Sequence, residues 1–168
     1  MSAQGQAEVE NPHGFCGQPS SATAWRICAI ESTLVRDDKR KTIRVVAAVM
    51  ERDGRYLITQ RRPNAVLPGM WEFPGGRCED GETDSEALRR EVLERLGAQI
   101  EVGQLISFVS HPYDHYTVDL YLYECRLMTE NLEARAVHDY RWVTSSEFDQ
   151  YPFTPADEAS MTQLLGEP

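Results

Sequence analysis

The sequence predicts an α/β domain, of the α+β kind, in which helices pack on a mixed β-sheet. Three observations predict it. The β-branched apolar run TIRVVAAVM (42–50) reads as a buried strand. In HYTVDLYLYECRL, Val118, Leu120 and Leu122 alternate with Thr117, Asp119, Tyr121 and Tyr123, the period of a half-buried strand. Between them, Leu88, Val92 and Leu96 recur at the spacing of one helix face.

Taken in order, residues 1–22 are rich in Ser, Gly, Ala, Gln and Pro and read as a flexible tail. Residues 23–41 read as an N-terminal extension, within which AWRICAIESTLV (24–35) suits either a short strand or a helix. The folded domain is expected over 42–168. ERDGR carries an Asp53-Gly54 turn, so TIRVVAAVM and YLITQRR read as a hairpin. PNAVLPGM is a loop broken by Pro63, Pro68 and Gly69, and WEFP is a short extended piece. A helix is predicted from Thr83 to Leu96, capped by Thr83 or Asp84 and stopped by Gly97. QIEVGQLISFVSHPY and HYTVDLYLYECRL are strands around a turn at Asp114. YRWVTSSEFDQYP is a strand followed by a helical turn, and TPADEASMTQLLGE a C-terminal helix with Pro155 near its start.

At 168 residues the chain fits one domain, and 41% hydrophobic with 26% charged residues is a globular composition. No apolar run approaches the ~18 residues of a membrane span, so no membrane association is expected. The first residues have neither a basic nor an apolar stretch of a secretory signal, and a cytoplasmic location is expected. A net charge of -10 repels nucleic-acid backbones, which argues against direct nucleic-acid binding. It leaves room for a small phosphorylated ligand met by local cations. Cys16, Cys28, Cys78 and Cys125 lack metal-site spacing and read as reduced thiols.

Chemistry concentrates in WEFPGGRCEDGETDSEALRREVLERLGA (71–98). On the predicted helix Leu88, Val92 and Leu96 form the packing stripe. Glu91 and Glu94 fall on a second stripe, with Ala87 between them in angle and Arg95 at its edge. Two neighbouring carboxylates are unfavourable unless a cation sits between them, and a hard ion such as Mg2+ or Mn2+ takes oxygen ligands. A charge run of this kind also suits a solvated face with i,i+4 ion pairs such as Glu91–Arg95. The glycines before the helix favour the site, because they let backbone approach a ligand and offer carbonyl oxygens.

The segment resembles the signature of the Nudix hydrolases: Gly76, Glu82, Arg90, Glu91, Val92, Glu94 and Gly97 stand at its spacing. WEFPGG and the Gln60-Arg61-Arg62 run resemble its MutT-like branch, and the likeness covers about residues 42–166. The resemblance implies the Nudix fold, a mixed sheet between helices with the signature as loop-helix-loop. It implies hydrolysis of a nucleoside triphosphate to a monophosphate and pyrophosphate, with nucleotide sanitation as the role. It also implies a site: Glu91, Glu94 and the Gly75 carbonyl on Mg2+ or Mn2+, and Glu82 in support. Arg90 and Gly76 would brace that site, and Arg61 would lie on the substrate phosphates. A monomer or a homodimer is expected.

The chain departs from the signature in two places. Arg95 stands where the pattern has a metal-binding glutamate. Ala136 stands where MutT-like chains carry a further glutamate, and Glu133 is the nearest acid. Three readings stay open: a hydrolase with a thinner metal site, a weak enzyme, or an impaired domain that binds nucleotide or a partner protein. Asp157 is the position that reads the nucleobase edge in the branch, where a carboxylate suits a cytosine amine or an oxidised purine. Asp157 as a mere helix cap is the alternative. Phe73 and Trp71 either flank the base or belong to the core. His111 and His115 flank a turn and read as surface residues of a hairpin.

Overall fold

The structure, a computed structural model, describes residues 40–165. The expected tail (1–22) and residues 23–39 of the expected extension lie outside them. Lys41, assigned to that extension, instead opens the first strand.

The elements follow one another as β1 (Lys41–Val49), β2 (Glu51–Arg52), β3 (Arg55–Gln60), β4 (Trp71–Glu72) and β5 (Gly75–Arg77). Then come helix α1 (Asp84–Leu96), β6 (Ile100–Pro112), β7 (Tyr116–Leu127), β8 (Asp139–Val143), a 3-10 turn (Ser145–Gln150) and helix α2 (Pro155–Leu165). The main sheet runs β5-β1-β7-β6. It is mixed, because β1 lies parallel to β7 and antiparallel to β5. A second small sheet is built on β3, which pairs with β2, β4 and β8.

The hairpin expected from 42–50 and 56–62 is only partly present. β1 stays in the main sheet, and the chain crosses to the second sheet at Met50. Only Glu51–Arg52 folds back on Arg55–Tyr56, around Asp53 and Gly54, both at positive φ. The cause lies in β1 itself, which is buried on both faces. Val46, Ala48 and Met50 face one core with Leu88, Val92 and Leu96 of α1. Ala47 and Val49 face the other with Ile58, Phe73, Phe148 and Phe153. A strand with two apolar faces belongs at the centre of a layered fold, flanked by two strands rather than closing a hairpin.

Candidate active site

Helix α1 is defined at both ends. The Thr83 hydroxyl accepts from the Glu86 amide while the Glu86 carboxylate accepts from the Thr83 amide, a reciprocal cap. Gly97 ends the helix in the left-handed region, with its amide donating to the Leu93 carbonyl. With Leu88, Val92 and Leu96 fully buried, the row Ala87–Glu91–Arg95 lies along the edge facing β5. There Gly76 is required: a Cβ would fall 2.1 Å from Cδ of Glu91. Gly75 is tighter still, since its Cβ would meet the Val46 carbonyl at 2.0 Å.

Glu91 sits in an alternating web of acids and arginines. Its Oε1 accepts from Nη1 of Arg90 at 3.0 Å and its Oε2 from Nε of Arg95 at 2.8 Å. Arg90 also forks onto Glu82, at 2.7 and 2.8 Å, and donates to the Arg77 carbonyl. These bonds and the Glu79 amide hold Glu82 well below the usual carboxylate range, at about 2. Arg95 passes from Glu91 to Glu72, with Nη1 at 3.0 Å from Oε1. The other oxygen of Glu72 accepts from Arg61 at 2.5 Å, and Nε of Arg61 donates to the Val66 carbonyl. Burial works against the charge of Arg95, but Glu72 and Glu91 hold it, and its pKa ends above the ordinary value. The side chains of Glu72 and Glu91 are only 11% and 12% exposed, so each charge depends on its partners.

A cavity of about 460 Å³ opens beside this web. Arg61, Glu72 and Arg95 line it, as do Phe73, Tyr113 and Asp157. Asp157 is buried: Oδ1 accepts from the Phe73 amide at 3.0 Å and Oδ2 from the Thr154 hydroxyl at 2.5 Å. Burial, and then the charge of Glu72, push its pKa up to about 7 against these stabilising bonds. α2 delivers it there because backbone bonds from Trp71 to Pro152 and from Thr154 to Trp71 pin the start of the helix to β4. A second cavity, about 520 Å³, is larger, but its wall is mainly apolar, with Val49, Ile106, Phe148, Met161 and Leu164, and its charged residues, Arg126 among them, are not part of the web. The smaller cavity, with convergent polar groups, is the better site.

The fold thus brings Glu82, Arg90 and Glu91 into the web and puts Gly75, Gly76, Arg61, Phe73 and Asp157 along the cavity. Glu94 is set apart: its side chain is 59% exposed and its ion-pair contact is Arg90 at 3.7 Å. Phe73 is a core residue that also walls the cavity, while Trp71 is core, edge-on to Tyr151. Asp157 lines the cavity and is not the helix cap: its amide donates to the Thr154 hydroxyl, so Thr154 caps α2. Glu133 pairs with Arg135. His111 packs edge-on against Tyr113. The residue missed in sequence was Glu72, an acid with an apolar neighbour on each side in Trp71-Glu72-Phe73, which is itself a signal of a buried charge with a purpose.

The metal expectation meets a specific obstacle. Among the described residues no group of three or more His, Cys, Asp or Glu side chains is arranged to hold an ion. Glu82, Glu91 and Glu72 have turned their oxygens to arginines, and the Arg95 guanidinium lies between Glu91 and Glu72. Ala136, beside Glu91, Glu94 and Arg95, brings no acid. In this arrangement the donor set does not fit a protein-held divalent cation.

Comparison with known proteins agrees with the geometry. A family model described as NUDIX domain matches residues 45–163. The chain is 35% identical over 117 residues to the CTP pyrophosphohydrolase of Escherichia coli (strain K12), covering 70% of this chain and 87% of that protein. It is 34% identical to the 8-oxo-dGTP diphosphatase of Proteus vulgaris, over 51% of this chain and 78% of that one. Among solved structures, the E. coli ORF135 protein superposes with a TM-score of 0.64 at 32% identity, covering 74% and 89% of the two chains. The MutT protein of methicillin-resistant Staphylococcus aureus 252 does so at 0.61 and 34%, covering 77% and 99%. No helix among the described residues is long and apolar enough to cross a membrane. With its signature helix, mixed sheet and relatives in agreement, this chain belongs to the Nudix hydrolases.

Proposed function

We propose that the protein hydrolyses a nucleoside triphosphate, of the CTP or dCTP type or an oxidised purine such as 8-oxo-dGTP, to a monophosphate and pyrophosphate. The observation that carries this is a single cavity whose wall holds both the guanidinium groups of Arg61 and Arg95 and a buried carboxyl group, Asp157. Guanidinium groups match phosphate oxygens in forked geometry, and a carboxyl group reads an amine or imino edge. Two relatives named for CTP and 8-oxo-dGTP support the substrate class.

In this reading the triphosphate lies against Arg61 and Arg95, and the base reaches Asp157 past Phe73. Water adds to a phosphorus of the chain, the bridging P–O bond breaks, and pyrophosphate leaves. Of the two stripe carboxylates, Glu94 is less committed to arginine than Glu91, and it lines a smaller adjoining cavity with Arg61 and Arg95. We assign it the proton from that water. Glu91 and Glu82, with Arg90, hold the guanidinium groups in place. Nudix hydrolases generally use divalent metal ions; in this reading Mg2+ or Mn2+ would enter as the counter-ion of the triphosphate. Holding the chain still beside fixed charges supplies the acceleration. The second reading, binding without turnover, is favoured by one observation: every oxygen of Glu82, Glu91 and Glu72 already has an arginine partner.

Pyrophosphate release from CTP, 5-methyl-dCTP and 8-oxo-dGTP with Mg2+ or Mn2+ tests the proposal. Turnover is expected, and Glu94→Gln should lower kcat by about 100-fold or more, the usual yield of a positioned base. Absence of turnover on the whole panel would leave the binding reading.

A further inference from the structure

We propose that Arg95 is a tethered cation: it binds the phosphate chain of the nucleotide together with Arg61, and by neutralising Glu91 and Glu72 it frees that binding from a divalent ion. The inference rests on the nucleotide reading of the cavity and deepens it.

The geometry points this way at three places. Two acids less than 15% exposed, Glu91 and Glu72, converge on one guanidinium at 2.8 and 3.0 Å. Without a positive charge between them they would be two like charges held close and largely desolvated, an arrangement that is strongly unfavourable. Arg95 already fills that position from within the chain, at the i+4 step of α1.

Arg95 also has donors to spare. Nε and Nη1 serve the two acids, and a guanidinium has five N–H groups. The side chain walls both the 460 Å³ cavity and the adjoining one of about 240 Å³. Arg61 shares both walls with it and shares Glu72, so the two guanidinium groups are yoked through one carboxylate.

Finally, the loop after β7 is fitted to Arg95. The amides of Arg135 and Ala136 both donate to its carbonyl, at 2.9 and 3.1 Å. The side chain that this loop sets beside the guanidinium is a methyl group, that of Ala136, which neither competes for the arginine nor crowds it. On a chain of net charge -10, a phosphate chain needs local cations fixed in advance. Arg61 and Arg95 are such cations.

The test uses the full chain and inorganic tripolyphosphate, which carries the phosphate chain without a base and so bypasses Asp157. Calorimetry in EDTA should show binding by the wild type, with Kd changing less than about threefold when Mg2+ replaces EDTA. Arg95→Gln should weaken binding in EDTA by about tenfold or more, the loss of a charge-assisted bond. With no polyphosphate present, Mn2+ titrated by electron paramagnetic resonance should bind Arg95→Glu at least about tenfold more tightly than wild type. Wild-type binding that vanishes in EDTA, equal binding by Arg95→Gln, or equal Mn2+ affinity in wild type and Arg95→Glu each overturns the proposal. The first comparison needs no variant, so it stands even if a substituted chain does not fold. Metal-free binding without pyrophosphate release from any nucleotide keeps this inference and removes the hydrolase reading. Turnover with binding that is indifferent to Arg95 does the reverse.

Discussion

Asp157 makes the stability of this protein depend on pH, and Asp157→Asn should remove that dependence. The carboxyl is buried, and its pKa is pushed up from 3.8 to about 7 by burial and by the charge of Glu72. A folded-state pKa above the unfolded value means the native chain holds this proton more tightly. The associated stability is full below the unfolded pKa and is lost as pH rises through about 7. Between pH 5 and pH 8 the group passes through about two pH units in which only the native state is protonated, a loss of about 3 kcal/mol. Asn keeps the geometry, since its oxygen can still accept from the Phe73 amide and its amide can donate to the Thr154 hydroxyl. Urea unfolding of both proteins at pH 5 and pH 8 isolates the effect, because the other titrating groups cancel in the difference. The gap between Asp157→Asn and wild type should shift by about 3 kcal/mol in favour of the variant at pH 8. A gap that is the same at both pH values refutes the reasoning, and would mean that water reaches the carboxylate.

Two further predictions come from the arginine web. Gly76→Ala puts a methyl group into the Glu91 carboxylate, and should cost about 1–3 kcal/mol by thermal unfolding while lowering pyrophosphate release. Glu82 has a depressed folded-state pKa, about 2, set first by Arg90 and then by the Glu79 amide. Its contribution is therefore present above the unfolded value of 4.5 and lost as pH falls toward 2, so Glu82→Gln should flatten the acid limb of the stability curve in that window.

How far the sequence carries the structure depends on whether the deciding signal is local. Helix α1 is legible to within a residue: the sequence reads it from Thr83 and it begins at Asp84, with Thr83, one of the two candidate caps, capping it through the local exchange with Glu86, and Gly97 ending it as expected. The β6–β7 hairpin is legible for the same reason, its strands meeting around Tyr113–His115. The passage of β1 and β3 into different sheets is not, because it is decided by the partners of β1, namely β5 and β7, far along the chain. At the site, periodicity puts Glu91 and Glu94 on one stripe, yet only Glu91 is buried, because β5 and Gly76 cover that side of α1. Glu72 was hidden because its partners, Arg61 and Arg95, lie 11 and 23 residues away and no periodicity links them.

β4 is only Trp71–Glu72, but Glu72 and the residue after it, Phe73, both line the cavity. The Glu72 side chain is held by Arg61 and Arg95, while the amide of the next residue, Phe73, is held by Asp157. One peptide unit therefore joins the residue whose carboxylate Arg61 and Arg95 share to the amide that Asp157 accepts from. That link is covalent and planar, so the backbone at the two places moves as one piece. If, as proposed, Arg61 and Arg95 take the phosphates and Asp157 the base, a ligand with one phosphate fewer, or with a spacer between sugar and base, reaches one end and misses the other. Length discrimination then follows from the backbone rather than from any added contact, and a shift of Glu72 would be transmitted to Asp157 through a single planar amide.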